Sequence, residues 1–305
     1  YLIAEADESD ASFLHLQPLM SVITNIDKDH MENHENSFDI LKKNFLEFIN
    51  NLPFYGLCLL NIDDINTKSI INKISRPIKT FGVDDHADYQ AKLICVDTIP
   101  AKYCYTENGN LYEMKLNMPG KHNVMNSLAA LSVARELNVP IKVIQEALES
   151  FPGISRRFEI VGEFKINKNI FTWVDDYGHH PTEMKEVLET IKKVWVNKKL
   201  VMVFQPHRYS RTAEHFNQFI DILKNVDHLV LMDIYAATEQ PLDNINSEAI
   251  VGEIKKYNKN VVLINSEDEL SNYLDKIIEN KNILLTMGAG NISKFVNYYK
   301  KHLVH

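Results

Sequence analysis

The sequence predicts an α/β protein of two domains, the second built on a mostly parallel sheet. Three observations predict it. At 305 residues, 45% of them hydrophobic and 24% charged, the chain can bury two cores. Beyond Pro152-Gly153, apolar runs at 170–174, 200–204, 229–232, 261–264 and 283–286 mostly alternate with amphipathic stretches, the rhythm of parallel strands covered on both faces. Ahead of that dipeptide the rhythm is lost and helix mixes with strand. The boundary is therefore set between 1–152 and 153–305.

In chain order, residues 2–6 and 22–25 read as short buried strands. Phe38–Asn50 reads as a helix, because Phe38, Leu41, Phe45, Phe48 and Ile49 fall near one face. Residues 88–117 alternate around the turn Asn108-Gly109, which predicts β-hairpins. Helices are expected at 124–137 and 141–151, parted by Pro140. In the second domain 181–195 carries Met184, Val187, Leu188, Ile191 and Trp195 at helical spacing, and 211–224 carries Phe216, Phe219, Ile220 and Leu223.

A net charge of −8 without a long basic block argues against nucleic acid as the main partner. It leaves room for a local cationic cluster that binds phosphate. No apolar run approaches the roughly 18 residues of a membrane span. Cys58, Cys95 and Cys104 are odd in number and unpatterned, so reduced thiols in a cytoplasmic protein are expected. Tyr1-Leu2-Ile3-Ala4 has neither an initiator Met nor a basic region ahead of a signal core. It reads as a strand already under way, and the chain as a fragment.

Several segments carry chemistry, most of them where an apolar strand gives way to polar residues, the place where open α/β sheets bind ligands. Glu5, Asp7, Glu8 and Asp10 crowd at the end of 2–6 and just beyond it; they suit Mg²⁺ or form a solvated acidic turn. His30 ends a second such segment, where a structural hydrogen bond is the plainer role. In Pro119-Gly120-Lys121-His122-Asn123-Val124-Met125-Asn126, Asn123 and Asn126 share a face of the first helical turn. Their amides suit an adenine edge, or cap the helix. Arg157, beside the domain boundary, can take a phosphate bidentately or form a surface ion pair. Asp175, Asp176, His179 and His180 precede a helix with Pro181 in its first turn; a zinc set is the weaker alternative there. Arg208 and Arg211, beside His207, are spaced to converge on one small anion such as a carboxylate. Met287-Gly288-Ala289-Gly290-Asn291 lacks the third glycine of a dinucleotide fingerprint, so close backbone packing or ligand approach is expected of it. No Gly-x-x-x-x-Gly-Lys-Ser/Thr loop occurs.

Taken in order, the strings at 4–13 (AEADESDASF), 24–30, 52–56 (LPFYG), 119–126, 156–159, 174–183 (VDDYGHHPTE), 204–212 (FQPHRYSRT) and 288–291 resemble those of the Mur ligases. The resemblance implies a central ATPase domain, incomplete here because the family's phosphate loop would precede Tyr1, followed by a Rossmann-like C-terminal domain. It implies ATP-dependent joining of L-alanine to UDP-N-acetylmuramate through an acyl phosphate, in peptidoglycan precursor synthesis. A fragment without the phosphate loop is expected to be inactive alone. Attachment of a preformed peptide to the same sugar nucleotide is the nearest alternative, and a non-catalytic nucleotide-binding remnant a further one.

By that resemblance Glu5 and His30 would hold Mg²⁺. His122, Asn123, Asn126, Arg157 and Asp176 would bind ATP, with Arg157 and Asp176 reaching the nucleotide across the domain boundary. Ser9, His179, Arg208 and Arg211 would bind the other substrates, the arginines pairing with the alanine carboxylate. Glu5, His30, Arg157 and His179 would form the catalytic set. The position fifteen after His30 is Phe45, so the carbamylated lysine of sister ligases is not carried over.

Overall fold

The computed structural model describes residues 1–7, 11–28, 34–35, 37–84 and 86–304. The chain forms two compact units, Tyr1–Phe151 and Pro152–His305. Each carries a six-stranded sheet among the described residues.

In the first unit, β1 (Met20–Ile23), α1 (Phe38–Asn50), β2 (Leu57–Asn61), α2 (Ile65–Ile70) and β3 (Ile78–Gly82) precede a meander of β4 (Tyr89–Cys95), β5 (Ala101–Glu107) and β6 (Asn110–Leu116). The sheet runs in sequence order. It is parallel from β1 to β4 and antiparallel from β4 to β6. Successive residues of β2 point to opposite faces. Cys58 and Leu60 join the core under α1 with Phe13 and Ile49. Leu59 joins Phe81, Tyr103 and Met114 under α3 (Lys121–Glu136). The last helix, α4 (Ile141–Ser150), buries Ile144 in that second core. All three cysteines are free thiols, and burial pushes Cys58 up to about 12.

The expected hairpin around Asn108-Gly109 is β5–β6, with both residues at positive φ. Three expectations need correction. Residues 2–6 form no strand: Tyr1, Leu2 and Ile3 are almost fully exposed, and an apolar run becomes a strand only with a neighbour for its ladder. The strand expected at 22–25 lies instead at Met20–Ile23. The chain turns away at Thr24, whose carbonyl accepts from Asn61 Nδ2 at 2.9 Å. Asn123 does not cap α3 either. The N-cap is Gly120 at φ 100°, and Asn123 Nδ2 donates to the Pro119 carbonyl at 2.8 Å.

The second unit runs β7 (Glu159–Ile166), β8 (Asn169–Asp176), α5 (Pro181–Val194), β9 (Leu200–Phe204), α6 (Tyr209–Glu214), α7 (Phe216–Leu223), β10 (His228–Leu231), α8 (Ser247–Ile254), β11 (Val261–Leu263), α9 (Glu267–Ile277), β12 (Ile283–Met287) and α10 (Ile292–Val304). The strand order is β11-β10-β9-β12-β8-β7, with only β7 antiparallel, at the edge. Val174, Met202 and Leu285 face α5, α7 and α8. Trp173, Val201 and Leu284 face α9 and α10. The helix expected at 211–224 is broken at His215. Its apolar stripe belongs only to α7, while α6 buries Arg211 and Thr212.

Gly252 sits exposed within α8, and a Cβ there would meet nothing within 4 Å. Gly252→Ala should therefore stabilise the second unit by about 0.5–1 kcal/mol, since glycine's extra unfolded-state freedom is removed without a clash. Urea unfolding would show a higher midpoint at unchanged slope.

Candidate functional site

Asp176, Met287 and Phe204 lie level in the ladder, with Leu231 level with Phe204. The loops leaving these four strands therefore emerge side by side at the carboxyl edge of the second sheet, where a switch in strand order opens a crevice. Here β12 is inserted between β9 and β8.

After β8, two buried carboxylates do different work. Asp175 accepts from Thr286 Oγ1 at 2.5 Å and from Arg156 Nε at 2.9 Å, and Arg156 Nη2 continues to the Gly288 carbonyl at 2.6 Å. Trp173 Nε1 donates to the same Thr286 hydroxyl at 3.1 Å. Burial raises the Asp175 carboxyl, against the pull of Thr286 and Arg156. Asp176 accepts backbone N–H groups of Phe158 at 2.7 Å and Gly178 at 2.6 Å. Burial pushes it up to about 6, against those two amides. The two Asp176 oxygens thus each order one segment, Oδ2 the turn that carries Arg157 and Oδ1 the loop that presents Tyr177 and His179.

The Arg156 and Arg157 guanidiniums both lie against the Tyr177 ring, 5.4 and 5.2 Å from its centroid. Arg157 is exposed and pairs with Glu183 at 3.6 Å. Glu183 also accepts the amides of His179 and His180, closing a capping box in which His180 is the N-cap of α5. His180 and Asp175 are thereby engaged in structure, and the zinc reading of this turn lapses.

After β9, Gln205 ties two loops together. Its Nε2 donates to Asn291 Oδ1 at 2.6 Å, and its Oε1 accepts from the Ile292 amide at 2.9 Å. A Cβ on Gly288 would lie 2.5 Å from the Gln205 carbonyl oxygen, and one on Gly290 2.4 Å from Gln205 Oε1. Of the two roles expected of this glycine loop, close backbone packing or ligand approach, these contacts show the packing.

His207 stacks on Tyr235 at 5.6 Å between centroids, and its ring centroid lies 5.4 Å from that of His179. Tyr177, His179, His207 and Tyr235 thus form a row of rings. Arg211 is buried, with Nη1 3.5 Å from His207 Nδ1. Arg208 is the N-cap of α6 at φ 68°, ψ 140°, a region that side-chain-bearing residues rarely occupy. Its Nε is buried without a hydrogen-bond partner. The structure thus brings His179, His207, Arg208 and Arg211 into one place.

Burial, then the neighbouring His179, Arg211 and Arg208, lower His207 to about 4. Its folded value lies below the unfolded one, so the stability it contributes is present above about 6.5 and lost as pH falls through about 4. A ¹H–¹⁵N titration should accordingly find the His207 ring neutral at pH 6, with its protonation midpoint near pH 4. A midpoint near 6.5 would remove the electrostatic picture of this site.

In the first unit, Asn123 is buried and Asn126 exposed, with His122 between the two extremes in the first turn of α3. Glu5 is exposed. His30 and Ser9 lie outside the described residues. The segment leading to His30 is pinned as far as Ile26, whose carbonyl accepts from Asn66 Nδ2 at 2.8 Å.

Residues 1–134 match the Mur ligase middle domain, and residues 156–290 match the Mur ligase glutamate ligase domain. The chain belongs to the Mur ligases. This Mur ligase chain is 46% identical, over 295 residues, to the UDP-N-acetylmuramate–L-alanine ligase of Vesicomyosocius okutanii, covering 96% of this chain and 63% of that one. It is 43% identical over 303 residues to the protein of the same name from Hydrogenovibrio crunogenus, covering 99% and 66%. The chain thus spans slightly less than two thirds of these relatives' length. Among solved structures it superposes on the UDP-N-acetylmuramate-alanine ligase of Thermotoga maritima with a TM-score of 0.75 at 28% identity, covering 97% of this chain and 62% of that one. A murein peptide ligase from Psychrobacter arcticus, at 21% identity and TM-score 0.64 over 95% of this chain and 58% of that one, shares the fold. No helix among the described residues is long and apolar enough to cross a membrane.

The residues that sequence reasoning passed over are Arg156, Gln205, Tyr235, Glu239 and Thr286. Glu239 and Tyr235 follow the carboxyl end of β10, so extending the strand-end rule to that loop would have found them.

Proposed function

We propose that this Mur ligase chain carries the nucleotide-handling and acceptor-binding parts of a cytoplasmic enzyme that joins L-alanine to UDP-N-acetylmuramate at the expense of ATP, in peptidoglycan precursor synthesis. The observation that carries the reading is the cationic turn after β9. Buried Arg211 and the buried, unpartnered Nε of Arg208 offer charged donors to one carboxylate. The names of the relatives support the same acceptor and sugar nucleotide.

In this reading the lactyl carboxylate of UDP-N-acetylmuramate attacks the γ-phosphorus of ATP, and ADP leaves. The alanine amine then attacks the acyl phosphate carbonyl, forming the amide as phosphate departs. Arg208 and Arg211 fix the alanine carboxylate, and His179 bounds the same space. With His207 held neutral, no third positive charge is added beside the alanine amine. Positioning of this kind can supply a large share of the barrier reduction.

Arg157 and the loop ordered by Asp176 are assigned to the ATP phosphates. Asn123 and Asn126, with His122, are assigned to the adenine, and Ser9 to the muramoyl group. Of the Mg²⁺ ligands assigned, Glu5 is an exposed carboxylate, the hard donor this cation takes; His30 completes the pair. Mg²⁺, when bound, would neutralise phosphate charge.

Phosphate release from ATP with UDP-N-acetylmuramate, with and without L-alanine, tests the reading on this chain and on a form extended to the relatives' length. Alanine-dependent release from the extended form is expected. No release from a folded extended form, or release that demands a tripeptide in place of alanine, would overturn it.

A further inference from the structure

The loop after β10 is bent against its own preferences. Ala237 and Thr238 both take positive φ, 47° and 76°, although Thr is β-branched and strongly disfavours that region. What the bend achieves is the placement of Glu239. Its Oε2 accepts the Ser210 amide at 3.0 Å and its Oε1 the Ser210 hydroxyl at 2.6 Å. The same loop holds the preceding residues of the arginine turn. The Arg208 amide donates to the Tyr235 carbonyl at 2.8 Å, the Tyr235 amide to the Pro206 carbonyl at 2.9 Å, and Tyr235 stacks on His207. Two strained turns, one at Arg208 and one at Ala237-Thr238, are thus fastened to each other.

Charge adds a second argument. Burial raises the Glu239 carboxyl, but the Ser210 hydroxyl and amide, the Tyr209 amide and Arg208 outweigh it and hold the group below the usual carboxylate range. Glu239 is therefore an anion fixed on Ser210, two residues along the chain from Arg208. The fixed charges of the turn are two guanidiniums and one carboxylate, and His207 adds none. One positive charge remains to be matched.

We propose that Glu239 is a specificity-determining residue: it locks the Arg208–Arg211 turn through Ser210 and cancels one guanidinium charge, so that the acceptor site takes an amine with a single carboxylate and rejects dicarboxylic ones. This rests on the acceptor site proposed above. A second carboxylate on the ligand would meet Glu239 with no cation left to match it.

The test is binding, by calorimetry or ¹⁵N shifts of the arginine Nε–H groups, of L-alanine, L-aspartate, acetate and malonate to this chain and to Glu239→Gln and Glu239→Ala. The native chain should prefer L-alanine to L-aspartate. Glu239→Gln keeps an acceptor for Ser210 and removes the charge, so it should raise L-aspartate affinity about tenfold and leave L-alanine within about threefold. Glu239→Ala should also weaken L-alanine binding about tenfold and speed exchange of the Ser210 amide, because the turn is released. An unchanged alanine-to-aspartate preference in a folded Glu239→Gln overturns the inference. If the native chain binds acetate or malonate but neither amino acid, the acceptor reading fails. The acetate-to-malonate preference then decides for Glu239, and no change in the Gln variant overturns it. A native chain that binds none of the four removes the site and the inference together.

Discussion

Arg211→Ala in the protein extended to its relatives' length is expected to lower kcat/KM for L-alanine by on the order of 10²- to 10³-fold, with KM for ATP within about twofold. Removing one partner of a buried, charge-assisted contact costs roughly 2–5 kcal/mol, and each 1.4 kcal/mol is about a factor of ten. Arg211 is well placed for so large an effect. It is buried within α6, its Nη1 lies 3.5 Å from His207 Nδ1, and the helix itself is only 6 residues long. Arg211→Lys should recover little, because an ammonium cannot reproduce the planar fork. The loss should fall mainly on KM, since a carboxylate remote from the reacting carbon is held in ground and transition states alike. A loss below about tenfold with native folding would move the acceptor carboxylate away from this turn.

How much of this was legible depends on how local the signal is. The parallel strands of the second unit were legible because they are nearly continuous in apolar residues; fully buried 200–204 coincides with β9, and 283–286 lies within fully buried β12. Edge strand β7 was not, because Glu163 and Lys165 stand among its apolar residues and only Ile166 is buried. Strands β2 and β3 were passed over as short runs without periodicity. At the site, Asp175, Asp176, His179, His207, Arg208 and Arg211 were legible because each lies within a few residues of a strand's end. Thr286 was hidden inside β12, where one hydroxyl among apolar neighbours reads as filler; only the fold shows it between Trp173 and Asp175. Glu239 was hidden because a bend at Ala237-Thr238 carries it back to Ser210, a pairing 29 residues away that no periodicity encodes.

Gly288→Ala should be the most destabilising single substitution in the glycine loop's first half, lowering the stability of the second unit by about 3–5 kcal/mol. Two costs add. Gly288 sits at φ 143°, where a Cβ alone costs roughly 1–3 kcal/mol. That Cβ would also lie 2.5 Å from the Gln205 carbonyl oxygen, and overpacking typically costs a further 1–3 kcal/mol. Neither partner can yield cheaply. The Gln205 amide donates to the Met287 carbonyl, the Gly288 amide to the Asp176 carbonyl, and the Gly288 carbonyl accepts from Arg156, so the clash is between two fixed stretches of backbone and not against a flexible tip. Gly109→Ala supplies the comparison. It also has positive φ, 78°, but no atom lies within 4 Å of its Cβ, so it should cost only the backbone conformation, about 1–2 kcal/mol. Urea unfolding, with the transition of each unit followed separately, checks both. Equal losses for the two variants would mean that the loop moves aside to admit a side chain, and Gln205 would then be no clamp on the loops at the carboxyl edge.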